Sequence, residues 1–339
     1  MRRTVPAVLA ALLLLLSGCG ARSEEPYQAQ FFAMDTVMSF TLYGRDSQSA
    51  AALGEQRVRE LEALLSVTEE GSDIYRANHA EGQPVELSPD ASHLLADALA
   101  LCADTDGVLD VTMYPVVRAW GFTTGDYRVP DETELSALLE RVDYTRAALE
   151  GGTLTLPADM ELDLGAVAKG YTGDLLMELF AENGVTSAIV ELGGNVQALG
   201  AKPDGSPWRV AVQSPDSSGY AGILEIVDKA VITSGGYQRY FEQDGETYWH
   251  IMDPATGAPA RSGLASVTIV ADRGVQGDGL STALFVMGRE RAEAYWRAHQ
   301  DFDFILLCGD GTAVITEGLE DSFSLYGEWE DSPLEIIRK

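Results

Sequence analysis

Cations are scarce in this chain: lysine and arginine together number 23 against 53 acidic residues, for a formal charge of −30. That imbalance argues against nucleic acid as a partner and against electrostatic docking on anionic lipid, because a strongly negative protein is repelled by either polyanion. It also means that a site for an anionic ligand must bring its own local cation or a metal ion. Cysteine is nearly absent: Cys19, Cys102 and Cys308 are the whole set, and no two stand at metal-ligand spacing. No repeat and no low-complexity linker interrupts the chain after Glu25, which favours one large domain over two. The one long apolar run lies at the N-terminus, and nothing later is long and apolar enough to span a bilayer.

That run, Val5 to Leu16, follows Arg2 and Arg3 and is too short to cross a membrane as a helix, so it reads as a signal peptide. It ends in Leu16-Ser17-Gly18-Cys19, which matches a bacterial lipobox. Residues 1–18 are therefore expected to be removed, Cys19 to be lipidated, and residues 19–30 to form a tether. Each lipid methylene buried is worth ~0.8 kcal/mol, so the protein is expected to be exported and anchored to the membrane, facing outside the cytoplasm, without crossing it. The alternative is an ordinary secretory signal with an incidental cysteine. Cys102 lies in an apolar helical run and Cys308 ends an apolar strand, a setting that suits two buried thiols better than a disulfide.

Phe31 to Tyr43 carries strand-prone residues interrupted at Met34-Asp35-Thr36 and reads as a kinked strand. Helices are expected from Ala50 to Leu65, from Ser88-Pro89 to about Ala103, from Asp131 onward, and from Gly165 to Phe180 with Gly184 placed to end the last. A hairpin turns at Glu150-Gly151-Gly152, and Ala188 to Leu192 is a buried strand that breaks at Gly193-Gly194-Asn195. Strands then dominate, at Trp208 to Val212, Gly222 to Ile226, Ala230 to Thr233 and Ala265 to Val270. Helices at about Gly279 to Val286 and Glu290 to His299 precede closing strands near Phe304 and Ala313. Strand runs punctuated by helices without regular alternation give an α+β class: a single large domain, residues 31–339, of mixed and antiparallel sheets flanked by helices.

Three distant segments carry the chemistry. Asp278 and Thr282 are four apart where a helix should begin, so a carboxylate near the N-cap and a hydroxyl one turn later face the same point. With a backbone carbonyl they would make a fair protein share of a magnesium octahedron, although a simple capped helix explains the same residues. Asp163-Leu164-Gly165-Ala166-Val167-Ala168-Lys169-Gly170 reads as a strand end, a tight turn and a helix start. Exposed amides and the Lys169 ammonium there would attract phosphate, where the plainer reading is a surface lysine. His250, between Trp249 and Ile251 and ahead of Asp253-Pro254, is expected to be buried. It is either a general base with a pKa near working pH or a core histidine satisfied by hydrogen bonds.

In order and spacing these segments resemble the signature segments of the ApbE family, the FAD:protein FMN transferases, from about Phe31 to about Gly318. By that resemblance Asp163 and Lys169 contact FAD, while the Ala166 carbonyl, Asp278 and Thr282 bind Mg2+ with Ser281 adjoining. Ile251 contacts the flavin, and His250 corresponds to the second histidine of a family pair whose first is replaced by Trp249, so His250 and Lys169 are the catalytic candidates. Ala33-Met34-Asp35-Thr36 is similar to a Met-Gly-Thr whose methionine, here Met34, touches the isoalloxazine, with Asp35 in place of glycine. Ser72 to Asn78 resembles a segment ending in a flavin-site asparagine, with Thr68 where an aromatic residue is usual. Gly107-Val108-Leu109-Asp110 and Trp120-Gly121-Phe122 resemble a Phe-Asp and Trp-Gly-Phe stretch, which makes Val108, Leu109 and Asp110 flavin-site candidates. Gly193-Gly194-Asn195 and Thr233-Ser234-Gly235-Gly236-Tyr237 are similar to glycine-rich turns that let backbone approach a ligand, which adds Ser234 and Gly235.

The resemblance implies an ApbE-like fold and Mg2+-dependent transfer of FMN from FAD to a threonine or serine hydroxyl, with release of AMP. The implied acceptor is a membrane flavoprotein with a Ser/Thr-Gly-Ala-Ser/Thr type motif. Hydrolysis of FAD to FMN and AMP in the same site is one alternative. A non-enzymatic flavin-binding lipoprotein is the other.

Overall fold

The computed structural model describes residues 25–339 except 217 and 218, so Cys19 and the signal segment lie outside the described residues. Nine strands form the main sheet, and their order across it follows their order in the chain. They are Tyr27–Ala33, Thr36–Gly44, Val185–Leu192, Asn195–Leu199, Ala230–Gly235, Leu264–Ala271, Phe302–Cys308, Ala313–Thr316 and Leu334–Ile337. Neighbours run antiparallel until the last pair, which is parallel.

Side chains alternate across this sheet, and both faces are covered. Helices Ser47–Leu65, Ala168–Glu182, Gly274–Met287 and Arg289–His299 pack on one face against Val190, Leu192, Val267, Ile269, Phe304 and Leu306. On the other face a small sheet of Trp208–Gln213, Tyr220–Ile226 and Phe323–Leu325 covers Val231, Val270, Ile305 and Ile315. Ile269 thus points one way and Val270 the other. Because neither face meets water, strands such as Phe302–Cys308 are apolar almost throughout rather than at every second residue. A further core beneath helix Pro89–Asp104 gathers Leu109, Leu162, Leu164 and Val167 with Val275 and Ala283, and so backs the chemistry-bearing loops with packed side chains.

Helices Ala168–Glu182 and Gly274–Met287 meet at their N-terminal ends, and each end is capped by a carboxylate from the other helix. Asp174 accepts hydrogen bonds from Gly274 N at 2.5 Å and Val275 N at 3.0 Å, while Asp278 Oδ2 accepts from Gly170 N at 2.8 Å. Neither helix has a side-chain cap from its own N-cap residue, so the opposite helix supplies the acceptors its first-turn amides need. Glycine permits the approach: a Cβ on Gly170 would stand 2.1 Å from the Gly274 carbonyl oxygen. Gln197, from the main sheet, completes the junction by donating to Gly170 O at 2.9 Å.

Several expectations shift. The helix expected from Gly165 starts at Ala168, because the Val167 and Ala168 amides turn back to Leu164 O and the Gly165 amide to Asp163 Oδ1. The helix expected from Gly279 starts at Gly274, which puts Asp278 inside it rather than at the cap. The expected kinked strand is a hairpin, with Met34 and Asp35 at φ 48° and 58° forming a two-residue turn closed by Ala33 and Thr36. Aspartate tolerates that left-handed conformation better than most residues, so it can stand where the family carries glycine. The first strand already begins at Tyr27, so residues 27–30, expected in the tether, pair with Leu42 to Ser39. Cys102 and Cys308 are buried free thiols, as expected, and burial pushes the Cys102 thiol up to about 12.

Gly170→Ala should therefore destabilise the protein by about 1–3 kcal/mol through backbone collision, whereas Gly71→Ala, which meets nothing within 4 Å, should change stability by no more than about 0.5 kcal/mol. Urea unfolding of the two variants checks this. Equal stabilities would mean that the helix junction is not tight.

Candidate active site

A cleft of about 870 Å3 opens beside this junction, within the size range of sites that enclose large organic ligands. Twelve residues singled out from the sequence line it: Met34, Val108, Leu109, Asp110, Asp163, Ala166, Lys169, Ser234, His250, Ile251, Asp278 and Thr282. They come from six separate stretches of chain, brought together by the hairpin turn, the two helix starts and the ends of the sheet strands.

The oxygen groups collect around Asp278. Its carboxylate is almost fully enclosed, and burial raises its pKa against the opposing effects of Lys169, the Asn195 amide and the Gly170 amide. In a continuous helix the Gly170 N–H would serve Ala166 O; here it goes to Asp278, and the Ala166 carbonyl is left without a backbone donor among the described residues. Ser234 Oγ lies 2.8 Å from Ser281 Oγ and 3.4 Å from Thr282 Oγ1. Ser281, fully buried, donates to Asp278 O at 2.9 Å and does not line the cleft, so it braces the site from behind rather than facing a ligand.

Among the described residues no three His, Cys, Asp or Glu cluster as a metal site. The group expected here is of another kind, one carboxylate with a hydroxyl and a carbonyl, a hard-oxygen set that leaves most positions of a magnesium shell to water and phosphate. An open carbonyl and a buried carboxylate in one cleft fit such a cation, since a buried negative charge calls for a counter-ion.

Two cations face the cleft. Lys169 is one, and among the described residues its ammonium forms no ion pair or hydrogen bond. The free helix-start amides expected beside it are not there: those of Val167, Ala168 and Gly170 bond to Leu164 O and Asp278. Arg239 is the other and was not foreseen, although it follows the glycine-rich turn at Gly235-Gly236 by a few residues; its Nη2 donates to Phe122 O at 2.7 Å. Burial raises the Asp163 carboxyl, and the Gly165 amide, Arg239 and Lys169 act against that rise.

His250 is half-buried, with its backbone N 3.1 Å and its Nδ1 3.2 Å from Arg239 O. A carbonyl only accepts, so Nδ1 carries the proton and Nε2 is left as an acceptor. Desolvation, joined by the Arg239 charge, lowers its pKa to about 4, well away from the working-pH value expected for a general base. Trp249, which replaces the family's other histidine, stays out of the cleft, with the Arg261 guanidinium 4.2 Å from its ring centre.

Asn78 and Gly235 also stay out of the cleft. Asn78 clamps the chain just before Asp163, donating to Leu162 O and accepting from Leu162 N, each at 2.8 Å. Gly235 lies under the Tyr237 ring. Asp110 lines the cleft, but its carboxylate is engaged by the Thr112 amide and hydroxyl and the Tyr144 amide. Thr68 is an exposed turn residue outside the cleft, and Tyr114, Phe122 and Tyr237 supply the aromatic surface of its lining.

The geometry can be set beside known proteins. The model of the ApbE family matches residues 34–306. The FAD:protein FMN transferase of Vibrio cholerae is 34% identical over 304 residues, covering 86% of this chain and 90% of that protein. That of Treponema pallidum is 31% identical over 338 residues, covering 93% of each. The crystal structure of the ApbE protein from Thermotoga maritima superposes with a TM-score of 0.82 at 30% identity, covering 86% of this chain and 97% of that one. The flavin transferase ApbE from Vibrio cholerae does so with a TM-score of 0.75 at 29% identity, covering 90% and 98%. With the family model matched over most of the folded domain and relatives above 30% identity along nearly its full length, this chain belongs to the ApbE family.

Proposed function

We propose that this protein is a transferase that moves FMN from FAD to a threonine or serine hydroxyl of a flavoprotein, with AMP as the leaving group and magnesium required. The observation that carries the reading is the convergence of Lys169 and Arg239 with Asp278, Thr282 and the open Ala166 carbonyl in one cleft of an acidic protein. Asp278, Thr282 and the Ala166 carbonyl would hold magnesium, which supplies charge neutralisation for a diphosphate. Lys169 and Arg239 bind the diphosphate oxygens and stabilise the charge that shifts onto AMP as the bond breaks. The acceptor oxygen bonds to the flavin-side phosphorus as its proton passes to His250 Nε2, and the bridging oxygen departs with AMP. Neutral His250 accepts a hydrogen bond from the acceptor hydroxyl at Nε2 and orients it. A bound diphosphate offsets the Arg239 and Lys169 charges that depress its pKa, so His250 becomes a better proton acceptor only in the loaded site. Tyr114, Phe122 and Met34 offer the apolar surface for the flavin ring.

Export and lipid anchoring through Cys19 belong to the same proposal, supported by the lipobox and the apolar run before it. No helix among the described residues is long and apolar enough to cross a membrane. An acceptor carrying a Ser/Thr-Gly-Ala-Ser/Thr type motif would then meet the enzyme at the membrane surface.

Incubation with FAD, magnesium and a peptide bearing that motif should add the mass of an FMN group to the peptide and release one AMP for each. Asp278→Ala should abolish both. Peptide of unchanged mass with AMP still released would establish hydrolysis instead, and no AMP at all would establish a binding protein. Mass analysis of the exported protein should find diacylglyceryl on Cys19, and an unmodified cysteine there would refute the anchor.

His250 gives a pH signature. Its folded pKa, about 4, lies below the ordinary 6.5, so its contribution to stability is complete above pH 6.5 and is lost as pH falls towards 4. His250→Gln cannot titrate, so its melting temperature should fall less than that of the parent protein between about pH 7 and pH 4. Parallel curves would show that His250 is not held neutral.

A further inference from the structure

A turn of two glycines joins strand Val185–Leu192 to strand Asn195–Leu199. Gly193 and Gly194 have φ of 62° and 95°, and a Cβ on Gly193 would stand 2.6 Å from the Thr36 side chain, so only glycine fits the first position. The turn delivers Asn195 to the cleft wall, where pairing with Leu192 and with Ile232 of the next strand fixes its backbone. The residue is 3% exposed, and its side chain neighbours the Asp278 carboxylate.

Asn195 Nδ2 is buried, and one side of its amide lies against the Asp278 carboxylate, opposing the rise in that group's pKa; among the described residues the nitrogen makes no hydrogen bond of good geometry. Buried donors are almost always paired, so an unpaired one on a cleft wall marks the place of an acceptor that arrives with a ligand. In the same lining Thr123 Oγ1 is also unpaired among the described residues and the Tyr237 hydroxyl has the Ser266 side chain beside it, but a hydroxyl rotates to suit any neighbour and identifies no ligand. The amide of Asn195 only donates at Nδ2, and it does so beside the ammonium of Lys169 and the oxygen set around Asp278. A ligand oxygen that suits all three neighbours is anionic and metal-bridging, which describes a diphosphate.

We infer that Asn195 is a further substrate-binding residue, whose Nδ2 donates to a diphosphate oxygen of FAD. The inference rests on the flavin-transfer reading and extends it to a residue at the start of a sheet strand. It predicts that recognition at Asn195 is blind to the flavin ring and depends on the phosphates alone.

The test compares parent, Asn195→Ala and Asn195→Asp for binding of FAD, ADP and riboflavin in magnesium, with melting curves to confirm folding. Loss of one hydrogen bond to a charged group should weaken FAD and ADP by the same factor, about 10- to 100-fold, and leave riboflavin unchanged. Asn195→Asp, which brings a second carboxylate to the phosphates, should lose more than Asn195→Ala. Undiminished FAD and ADP binding in Asn195→Ala, or an equal loss for riboflavin, would overturn the assignment; so would unchanged affinity accompanied by a higher magnesium requirement, which would mean that Asn195 serves only to orient Asp278. Failure of the parent protein to bind FAD would sink the flavin-transfer reading and this inference together, whereas normal binding by the parent and by both variants would sink this inference alone.

Discussion

Two helix starts that cap one another hold this site in place. Asp174 satisfies the first amides of helix Gly274–Met287, and Asp278 satisfies Gly170 at the start of helix Ala168–Glu182. A buried carboxylate is costly alone, and a buried helix start is costly without acceptors; together each relieves the other. The exchange also has a chemical result. By drawing the Gly170 amide to itself, Asp278 leaves the Ala166 carbonyl open, so that one hydrogen bond both locks the helices and exposes an oxygen to the cleft.

Charge follows the same local logic. The protein as a whole is strongly acidic, yet its cleft presents Lys169 and Arg239, and among the described residues no carboxylate forms an ion pair with either. Long-range repulsion of an anionic ligand is screened within about 10 Å at moderate salt, so these near groups decide binding. The two cations also work on the protein's own groups, moderating the raised pKa of Asp163, while Arg239 helps keep His250 neutral. An empty cleft and a loaded one therefore differ in their proton chemistry, since the ligand brings the negative charges that the cations are missing.

Most helices and strands could be read from periodicity because both kinds of element have strong stops in this chain. Ser88, Asp131 and Gly184 mark boundaries in the sequence and mark them in the structure. The misses share a physical origin in long-range contacts. Helix Gly274–Met287 extends well before Gly279 because Asp174, a hundred residues earlier, caps it, and no local pattern announces that. The Met34-Asp35 turn was hidden because aspartate replaces the glycine that normally advertises a left-handed pair. Within the site, residues with a chemically telling side chain in a recognisable segment, such as Asp163, Lys169, Asp278 and Thr282, reach the cleft. Arg239 was invisible because it lies past its motif, and Asn78 misled because an amide that clamps backbone is indistinguishable in sequence from one that binds a ligand.

The central claim is that the crossed caps place the oxygen cluster, and Asp174 tests it because it lies outside the cleft lining and bonds to the neighbouring helix start, with Gln197 and Arg273 beside it. The decisive measurement is a magnesium titration of FAD turnover in Asp174→Ala. If the cap positions Asp278, the magnesium concentration for half-maximal turnover should rise at least about tenfold, as it does when outer partners of metal ligands are removed. A variant that melts at lower temperature but keeps the parent's magnesium midpoint would show that the caps hold the fold together and leave the site's geometry to something else.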